Sequence, residues 1–592
     1  MLQLPKTNNF TKKLPPDAQY PTPSTSHEAE RSNLGPRMVR GAAYTFVRPD
    51  PFKEPIQLAA VSSAALRDLA IDPASVDSDE FKETVSGQKI ITINDHPEDD
   101  DIYPWAQCYG GYQFGQWAGQ LGDGRAISLF ETTNPETGVR YELQLKGAGR
   151  TPYSRFADGR AVVRSSIREF VVSEALNALG VPTTRALSLV IAPEAKIIRE
   201  RIEPGAIVAR FAQTWLRLGT FDLPRSRGDR QLIRKLADYT AEDVFGGWDQ
   251  LVGKAGRDDI QGEGKEAQNR YARLYREVAR RNAKMVAWWQ AYGFTNGVLN
   301  TDNTSIFGLS IDFGPFAFLD TFDPNYTPNH DDFMLRYAYK NQPSIIWWNL
   351  LRFGEALGEL IGAGPWCDDA EFTEKGVREE REQELIARAE HIIEQTGQEY
   401  KDVFMDEYKR LMTARLGLKH CVEGDFQKLY SELLDIMEAF ELDFHHTFRK
   451  LSNINLDEID SPEAQREVAG RFFPPEGPSK LAGSEEEARE RLGKWLETWG
   501  QRVVRDWPSN SDDNRRKAML AVNPHFIPRG WILDEVIDRA QKHKNYDLLA
   551  RVMKMTLNPF EETWEGIPED EVTRFCSEPP PSCRALQCSC SS

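Results

Sequence analysis

Residues 300–314 have the sequence NTDNTSIFGLSIDFG, in which two oxygen-bearing side chains, Asn303 and Asp312, lie nine residues apart. We predict a short hairpin over residues 305–311, interrupted at Gly308, that holds these side chains on either side of one site. Amide and carboxylate oxygens are ligands that suit Mg²⁺ in proteins. The stretch therefore predicts a magnesium site. The alternative is ordinary Asn and Asp turn chemistry, with a simple turn after a strand.

A lysine and a glutamate upstream form a second pair. Residues 140–146 alternate between apolar and polar side chains, which predicts a half-buried strand with Lys146 on its polar face. Residues 166–169 (SIRE) fit a capping box at the start of a helix that ends at Gly180. In protein kinases a strand lysine contacts the phosphates of ATP, and a helix glutamate such as Glu169 orients it. The alternatives are a solvated lysine and a glutamate that only caps its helix.

Positive charge is concentrated around Lys146 although the chain is acidic. The chain carries 73 Lys and Arg against 91 Asp and Glu, a net charge of −18. The local cluster opposes one acid, Asp158, with six positive side chains: Lys146, Arg150, Arg155, Arg160, Arg164 and Arg168. Guanidinium groups bind phosphate through two hydrogen bonds, so we predict a phosphate site that Arg210 and Arg217 extend. The alternative is an exposed arginine-rich face.

Strand and helix patterns are segregated along the chain. Between residues 103 and 222 most segments read as strands, and the two at 196–202 and 206–211 are predicted to join across Pro204-Gly205. Helical periodicity dominates beyond residue 341. We therefore predict an α+β, protein-kinase-like bilobal fold with a strand-rich N-lobe, a large helical C-lobe and a helical C-terminal extension. The predicted segments are a mobile lead at 1–40, the N-lobe at 41–222, the C-lobe at 223–450, the helical region at 451–565 and a disordered Cys-rich tail at 566–592.

Composition argues against several classes of protein. Apolar runs such as residues 186–192 are far shorter than the roughly 20 residues that span a bilayer, so we predict no integral membrane segment. The acidic net charge argues against binding to nucleic acid. Seven cysteines among 592 residues do not make a disulfide scaffold, which indicates a reducing compartment. The first 16 residues contain three lysines and no acid, a weak transit-peptide pattern that also suits a disordered lead.

The GDGR sequence at residues 122–125 occupies the place of the glycine-rich phosphate loop of kinases. It puts Asp123 and Arg125 where kinases keep small residues. The chain has no His-Arg-Asp motif, and Asp302 is the only acid near Asn303. These departures argue against ordinary γ-phosphoryl transfer to a protein hydroxyl.

With these motifs the chain resembles the selenoprotein O family from about residue 40 onward. The resemblance rests on GDGR at 122–125, LKGAGRTPYSR at 145–155, DGRAVVRSSIREF at 158–170, NTDN at 300–303, IDFGP at 311–315, YAYKNQP at 337–343 and NPH at 523–525. The family implies a protein-kinase-like fold that binds ATP in an inverted orientation. It also implies transfer of AMP, rather than phosphate, to protein Ser, Thr or Tyr.

The resemblance implies roles for individual residues. Asp302 would be the proton acceptor, Glu169 would orient Lys146, and Asn303 with Asp312 would hold Mg²⁺. The nucleotide would contact Gly122, Gly124, Arg125, Lys146, Asp158, Gly159, Arg210 and Arg217. A deep cluster of Arg and Lys agrees with this reaction, because it would stabilise departing pyrophosphate.

This chain departs from the family at one position of the catalytic loop and carries unusual cysteines at its end. The family usually has His where Asn296 stands, which affects local packing of that loop. The family's selenocysteine corresponds to Cys590, so Cys588 and Cys590 are predicted redox residues, with Cys583 or Cys421 as other partners for Cys590. Exposed thiols on a flexible tail suit a reversible disulfide that regulates activity. The alternatives are an inert tail and a zinc site.

The predicted function is therefore a protein adenylyltransferase that uses Mg²⁺ and ATP, acts on protein hydroxyls and releases pyrophosphate. One alternative is a thiol redox or scaffold pseudokinase whose body only binds nucleotide, and another is a conventional protein kinase. The family resemblance implies the mitochondrion for a eukaryotic member, with the cytoplasm as the alternative.

Overall fold

A computed structural model describes residues 4–90, 97–474, 477, 483–508 and 511–589. Within them, strands are concentrated before residue 213 and helices after it, which confirms the α+β prediction. The strands are β1 (Lys6–Thr7), β2 (Tyr44–Phe46), β3 (Gln57–Val61), β4 (Trp105–Gln107), β5 (Gly110–Gln113), β6 (Gln116–Gln120), β7 (Ala126–Thr133), β8 (Arg140–Lys146), β9 (Ala161–Val162), β10 (Arg185–Ile198), β11 (Ile202–Ala212), β12 (Phe294–Thr295) and β13 (Ala317–Phe318).

The helices form the larger, C-terminal part of the molecule. They are α1 (Asn9–Lys13), α2 (Pro23–Glu28), α3 (Ser63–Asp68), α4 (Asp79–Val85), α5 (Val163–Leu179), α6 (Gly219–Ser226), α7 (Arg230–Tyr239), α8 (Arg270–Ala291), α9 (Gln342–Gly362), α10 (Ala370–Lys375), α11 (Glu379–Arg415), α12 (Glu432–Ala439), α13 (Phe444–Asn453), α14 (Pro462–Gly470), α15 (Glu485–Asp506), α16 (Asp512–Leu520), α17 (Gly530–His543), α18 (Asp547–Leu557) and α19 (Glu569–Phe575). None of these described helices has the length and apolar character needed to cross a bilayer.

The central sheet is antiparallel and has the strand order β2-β4-β7-β8-β11-β10-β3, with β1 paired to β7 and β9 to β11. Helix α5 packs against β10 and β11. It ends at Gly180, as predicted, because this residue adopts the left-handed conformation that closes a helix. Strands β5 and β6 pair only with each other, so their hairpin lies outside the central sheet.

Strand β8 has the predicted bounds but is buried on both faces. Its polar side chains Glu142, Gln144 and Lys146 are all buried. The prediction of a half-buried strand is therefore wrong. The alternating pattern is real, but the polar face meets other polar groups inside the protein instead of water.

The connection between β10 and β11 lies at residues 199–201, so the predicted turn at Pro204-Gly205 is wrong. Gly205 lies inside β11, opposite Ala192 of β10. A Cβ atom on Gly205 would lie 2.4 Å from the Phe52 ring. Glycine is required there for close packing of a ring on the strand, rather than for a turn.

The segment between Asn303 and Asp312 does not form the predicted hairpin. Ser305 instead bridges to Arg217, and Ser310 bridges to Thr183. The two ends of this segment are therefore attached to the chain just after β11 and just before β10. Pairing with these neighbouring segments replaces pairing within the segment itself.

The described parts of both terminal segments, from residue 4 and up to residue 589, pack against the body, contrary to the predicted mobile lead and disordered tail. Phe10 of α1 is fully buried and stacks on Trp105. Near the other end, Phe575 of α19 is buried, and Cys588 N donates to Pro328 O at 2.9 Å. Aromatic side chains anchor these segments even though their Pro, Ser and Thr content is typical of disorder.

Candidate active site

Asp312 is surrounded by three positively charged side chains. Arg210 Nη1 donates to Asp312 Oδ1 at 2.7 Å, Lys146 Nζ lies 3.8 Å from the same oxygen, and Arg217 donates to Oδ2. Burial alone would raise the pKa of Asp312, yet Arg217, Arg210 and Lys146 hold it well below its usual value. Asp312 also has a φ of +51°, a strained value for a residue with a side chain. The surrounding contacts maintain that strain.

Glu169 joins the same cluster from helix α5. Lys146 Nζ lies 2.6 Å from Glu169 Oε2, and Arg210 Nη1 donates to Oε1 at 2.8 Å. Burial opposes ionisation, but Lys146 and then Arg210 lower the pKa of Glu169. The predicted pair of Lys146 and Glu169 is therefore in direct contact, and the solvated lysine is excluded. The capping box is also wrong, because α5 begins at Val163 and Ser166 lies buried inside it.

The register of two strands fixes the orientation of Arg210. Residue 210 of β11 lies opposite Gln144 of β8. Gln144 Oε1 accepts bonds from Arg210 Nε at 3.0 Å and from Nη2 at 2.7 Å. The guanidinium also lies 4.2 Å from the centre of the Trp215 ring. These contacts leave Nη1 to bridge Glu169 and Asp312.

The loop before this cluster presents Asp302. Its backbone oxygen accepts a bond from Arg217 Nη1 at 2.8 Å, and its Oδ2 accepts one from Gln113 Nε2 at 3.0 Å. Its other oxygen, Oδ1, is buried without a hydrogen-bond partner among the described residues. Burial raises the pKa of Asp302 to about 6. At neutral pH this carboxylate can accept a proton through Oδ1.

The predicted magnesium ligands have the right chemistry for a hard cation. Asn303 Nδ2 donates to Val298 O at 3.3 Å, so the amide oxygen remains available for a ligand. Across the described residues, no group of three or more His, Cys, Asp and Glu side chains could hold a metal by itself. Mg²⁺ commonly binds one or two protein oxygens together with substrate phosphates and water. Asn303 and Asp312 fit that kind of site, which needs the phosphates of a substrate for completion.

The GDGR loop connects β6 and β7. Gly122 has a φ of +139°, and a Cβ atom there would lie 2.5 Å from the Tyr153 ring. Asp123 is buried and accepts a bond from Gln107 N at 3.0 Å, so it is used inside the protein. The backbone oxygen of Arg125 accepts a bond from Gly147 N at 2.7 Å, but its guanidinium has no hydrogen bond or ion pair with any residue that the structure describes. Burial lowers the pKa of this guanidinium. An unpaired guanidinium of this kind favours an anionic ligand.

Asp158 and Gly159 lie in a neighbouring loop rather than in the Asp312 cluster. Asp158 Oδ1 lies 2.8 Å from Arg199 Nη2. A Cβ atom on Gly159 would lie 2.2 Å from the backbone carbon of Gly149, so no side chain fits there. Burial and, to a smaller extent, the charge of Arg199 lower the pKa of Arg125, so the Asp158–Arg199 pair lies near the GDGR loop.

The predicted arginine cluster is dispersed in the folded protein. Arg160 pairs with Asp50 at 3.0 Å, and Arg164 pairs with Glu203 at 2.9 Å. The remaining arginines point elsewhere: Arg150 and Arg155 are exposed, and Arg168 binds Phe316 O. Counting charge along the sequence missed these distant acids. Of the six, only Lys146 reaches Asp312, where Arg210 and Arg217 join it.

Two polar residues beside residues 300–303 were not found from the sequence. Gln113, in the β5–β6 hairpin, contacts Asp302 as described above. Asp222 of α6 is buried, and burial raises its pKa to about 7 although a hydrogen bond from Thr301 opposes the shift. No motif marks either residue. The glycine pair at the start of β5 was the available signal, because a Cβ atom on Gly111 would lie 2.7 Å from Asp302 Oδ1.

The C-terminal segment lies beside α5 and the chain after Asp312. Cys588 Sγ lies 3.7 Å from Arg168 Nη2, next to Glu169 in sequence. Cys588, Cys583 and Cys576 are free thiols and are partly exposed. Cys590, the other predicted redox residue, lies outside the described residues. In the described part of the tail, these cysteines form no metal-binding group.

The chain is similar to known proteins over nearly its whole length. A family model described as protein adenylyltransferase SelO matches residues 31–557. The chain belongs to the SelO family. Membership identifies it as an enzyme that transfers nucleotidyl groups, which confirms the family resemblance and the predicted enzyme class.

Individual members of the SelO family are similar to this chain over most of its length. The mitochondrial protein adenylyltransferase SelO of Schizosaccharomyces pombe is 43% identical over 100% of this chain and 99% of its own length. The protein of the same name in Saccharomyces cerevisiae is 37% identical over 90% of this chain and 88% of its own. A protein nucleotidyltransferase YdiU of Aromatoleum aromaticum is 38% identical over 95% of both chains. The names of both yeast relatives support the predicted mitochondrial location.

Proposed function

We propose that this chain transfers AMP from Mg-ATP to Ser, Thr or Tyr hydroxyls of proteins and releases pyrophosphate. The observation that carries the proposal is the Asp312 cluster next to Asp302. Three buried cations converge on one carboxylate, and a second carboxylate beside them keeps one oxygen free. Cations of this density suit a polyphosphate, and the free oxygen suits an attacking hydroxyl.

Lys146, Arg210, Arg217 and Arg125 would bind the phosphates. The first three already contact an anion, and Arg125 has none among the described residues. Phosphate oxygens would take up their free hydrogen-bond donors and stabilise the negative charge that develops on leaving pyrophosphate. Glu169 would keep Lys146 and Arg210 in place, because it bonds to both. Gly122, Gly124, Asp158 and Gly159 would line the nucleotide.

Asp302 would accept the proton of the attacking hydroxyl through Oδ1. Its pKa of about 6 leaves it ionised at neutral pH and still basic enough to take a proton. Arg217 links the two halves of the site, since it bonds to the backbone oxygen of Asp302 and to the Asp312 carboxylate. The proton acceptor is therefore held at a fixed distance from the phosphate-binding residues.

Asn303 and Asp312 would hold Mg²⁺. When bound, the ion would neutralise charge on the triphosphate.

The C-terminal cysteines would add redox control. Cys588 contacts Arg168, and Arg168 Nη2 also donates to Phe316 O at 3.1 Å, four residues after Asp312. A disulfide at Cys588 or Cys590 would alter this contact. Because Cys588 contacts Arg168, the neighbour of Glu169 in sequence, redox control is favoured over an inert tail.

Labelled ATP tests the proposal against its alternatives. The enzyme is incubated with casein and with ATP labelled at either the α- or the γ-phosphate. Label in protein from the α-position alone supports AMP transfer. Label from the γ-position alone would identify a conventional kinase, and binding of ATP with no label from either position would identify a nucleotide-binding scaffold. Mass spectrometry of the labelled peptides then identifies the modified Ser, Thr or Tyr.

A further inference from the structure

The β5–β6 hairpin holds the catalytic loop through three consecutive contacts. Tyr112 N donates to Thr301 Oγ1 at 2.8 Å, and Phe114 N donates to Asn300 Oδ1 at 3.1 Å. Between them, the Gln113 side chain donates to Asp302 Oδ2 at 3.0 Å. The hairpin pairs with no strand of the central sheet, so these contacts are its principal polar connection to the site.

The loop is also braced from the far side of the hairpin turn. Tyr337 Oη donates to Asn300 Oδ1 at 2.6 Å and accepts a bond from Phe114 N at 3.0 Å. The rings of Phe114 and Tyr337 lie 5.1 Å apart. Backbone groups and aromatic rings therefore attach the hairpin, and the Gln113 side chain is free to act on Asp302 alone.

The Gln113 contact divides the two oxygens of Asp302 between different tasks. Oδ2 is occupied by the Gln113 amide, whereas Oδ1 has no partner among the described residues. Gly111 leaves space beside Oδ1, because a Cβ atom on residue 111 would lie 2.7 Å from that oxygen. A neutral amide N–H is suited to this position, since it stabilises a carboxylate without neutralising its charge.

We propose that Gln113 is a positioning residue for Asp302, which it holds by Oδ2 so that Oδ1 can receive the proton of the acceptor hydroxyl. This inference rests on the proposed role of Asp302 as proton acceptor. The Gln113 side chain bonds to Asp302, and no hydrogen bond joins it to Lys146, Arg210 or Asp312. Its loss should therefore slow the chemical step and leave ATP binding unchanged.

Replacement of Gln113 tests the proposal by separating rate from binding. Gln113→Leu removes the donor and keeps the size of the side chain, and Gln113→Glu replaces the donor by a second carboxylate. We expect kcat for AMP transfer to casein to fall about 10- to 100-fold in both variants, because a hydrogen bond to a charged group is lost. We expect the KM for ATP to stay within about twofold and the melting temperature to stay unchanged.

Gln116 provides a matched control. It is the cross-strand partner of Gln113 in the same hairpin, it is exposed, and its side chain bonds to no described residue. Gln116→Leu should behave as wild type. A kcat within twofold of wild type in Gln113→Leu, or full activity in Gln113→Glu, would overturn the proposal.

Two further outcomes would also count against the proposal or its basis. If Gln113→Leu lowers both the affinity for ATP and the melting temperature along with kcat, the residue has a structural role, and the positioning role is overturned. Absence of AMP transfer by the wild-type enzyme would instead contradict the proposed function, and with it the inference. The two failures are distinguishable because only the second appears in the wild type.

Discussion

Arg210 donates a hydrogen bond of 2.7 Å to Asp312, the residue with the most strongly lowered carboxylate pKa of this site. The same nitrogen reaches Glu169 at 2.8 Å. Lys146, Arg210 and Arg217 thus face three carboxyl groups, those of Glu169, Asp312 and Asp123, the last of which lies 3.8 Å from Arg217 Nη2. Without a ligand the cluster is nearly balanced, and an incoming triphosphate would take over donors that now serve Asp312.

This balance predicts how magnesium binds. Asp312 is already compensated by cations, so Mg²⁺ alone should bind weakly, and Mg²⁺ together with ATP should bind well. Asp312→Asn should abolish the Mg²⁺-dependent part of ATP binding and lower AMP transfer by at least about 100-fold. Isothermal titration with Mg²⁺, with ATP and with both measures the first effect, and α-labelled ATP measures the second.

Asp323→Asn is the control for this experiment. Asp323 is exposed and lies in the same segment after Asp312. It should leave both binding and transfer unchanged. Strong binding of Mg²⁺ to the wild type without ATP would contradict the prediction, as would full activity in Asp312→Asn.

Arg125 should matter for binding and not for folding. Its guanidinium has no partner among the described residues, and burial lowers its pKa, so it contributes little to stability. Arg125→Gln should raise the KM for ATP about 10- to 100-fold, because a charged hydrogen bond to phosphate is lost. The melting temperature without ATP should be equal to or higher than that of wild type. Differential scanning calorimetry with and without ATP separates these two effects.

Arg150→Gln provides the comparison, because Arg150 is exposed and lies in the predicted cluster that the fold disperses. It should change neither the KM nor the melting temperature. A strong fall in the melting temperature of ligand-free Arg125→Gln would show that Arg125 is structural.

The motifs predicted the centre of the site better than its surroundings. Lys146, Glu169 and Asp312 converge because each is fixed by a regular element or a short motif, and such features are local in sequence. Arg160 and Arg164 were misassigned because their partners, Asp50 and Glu203, are distant in the chain. The fold decides which acid pairs with each arginine, and a count of charges that are neighbours in sequence cannot predict this.

The surroundings of Asp302 show the same limit more clearly. Gln113 precedes Asp302 by 189 residues, and the contact exists because a hairpin outside the main sheet approaches the loop. In the tail, the sequence instead predicted too little structure. Its composition is typical of disorder, yet Phe575 is buried, and Tyr326 Oη donates to Leu586 O at 2.6 Å. Ion pairs such as Arg551–Glu571 and Lys450–Glu578 also attach the described part of the tail to the body.

Stability should depend on pH through Glu142. Burial raises the pKa of this carboxyl to about 7, from 4.5 in the unfolded chain. The folded state therefore binds more protons between these values, and its stability falls as pH rises from about 4.5 to 7. The shift corresponds to a loss of about 3 kcal/mol, complete above the folded-state pKa. Glu142→Gln should remove this loss, since an amide oxygen can still accept the bond from Ser128.

Melting temperatures of wild type and Glu142→Gln, measured from pH 5 to pH 8, check this prediction. The melting temperature of Glu142→Gln should rise relative to that of the wild type as pH increases. Glu136→Gln, at an exposed position, should give no such trend. A constant difference between Glu142→Gln and wild type across this range would show that the Glu142 carboxyl does not titrate within it.

The last prediction concerns redox control by the tail. The chain from Leu586 to Cys588 runs beside residues 326–330, where Cys588 N donates to Pro328 O at 2.9 Å and His330 N donates to Cys588 O at 3.2 Å. Cys588 Sγ lies 3.7 Å from Arg168 Nη2. Oxidised glutathione can convert two thiols to a disulfide, because its own disulfide bond breaks and takes up the two electrons and two protons to give two molecules of reduced glutathione. A bond at Cys588 or Cys590 would pull on this segment and change the contact with Arg168.

We therefore expect AMP transfer to differ between enzyme treated with dithiothreitol and enzyme treated with oxidised glutathione. Cys588→Ser and Cys590→Ser should each reduce or remove that difference, and Cys590→Ser should remove it completely if Cys590 supplies one of the two thiols. Cys367→Ser is the control, because Cys367 is buried and distant in sequence from the tail. Non-reducing gels and mass spectrometry identify the disulfide formed. Equal activity under both treatments, with no disulfide detected, would leave the docked tail with a structural role only.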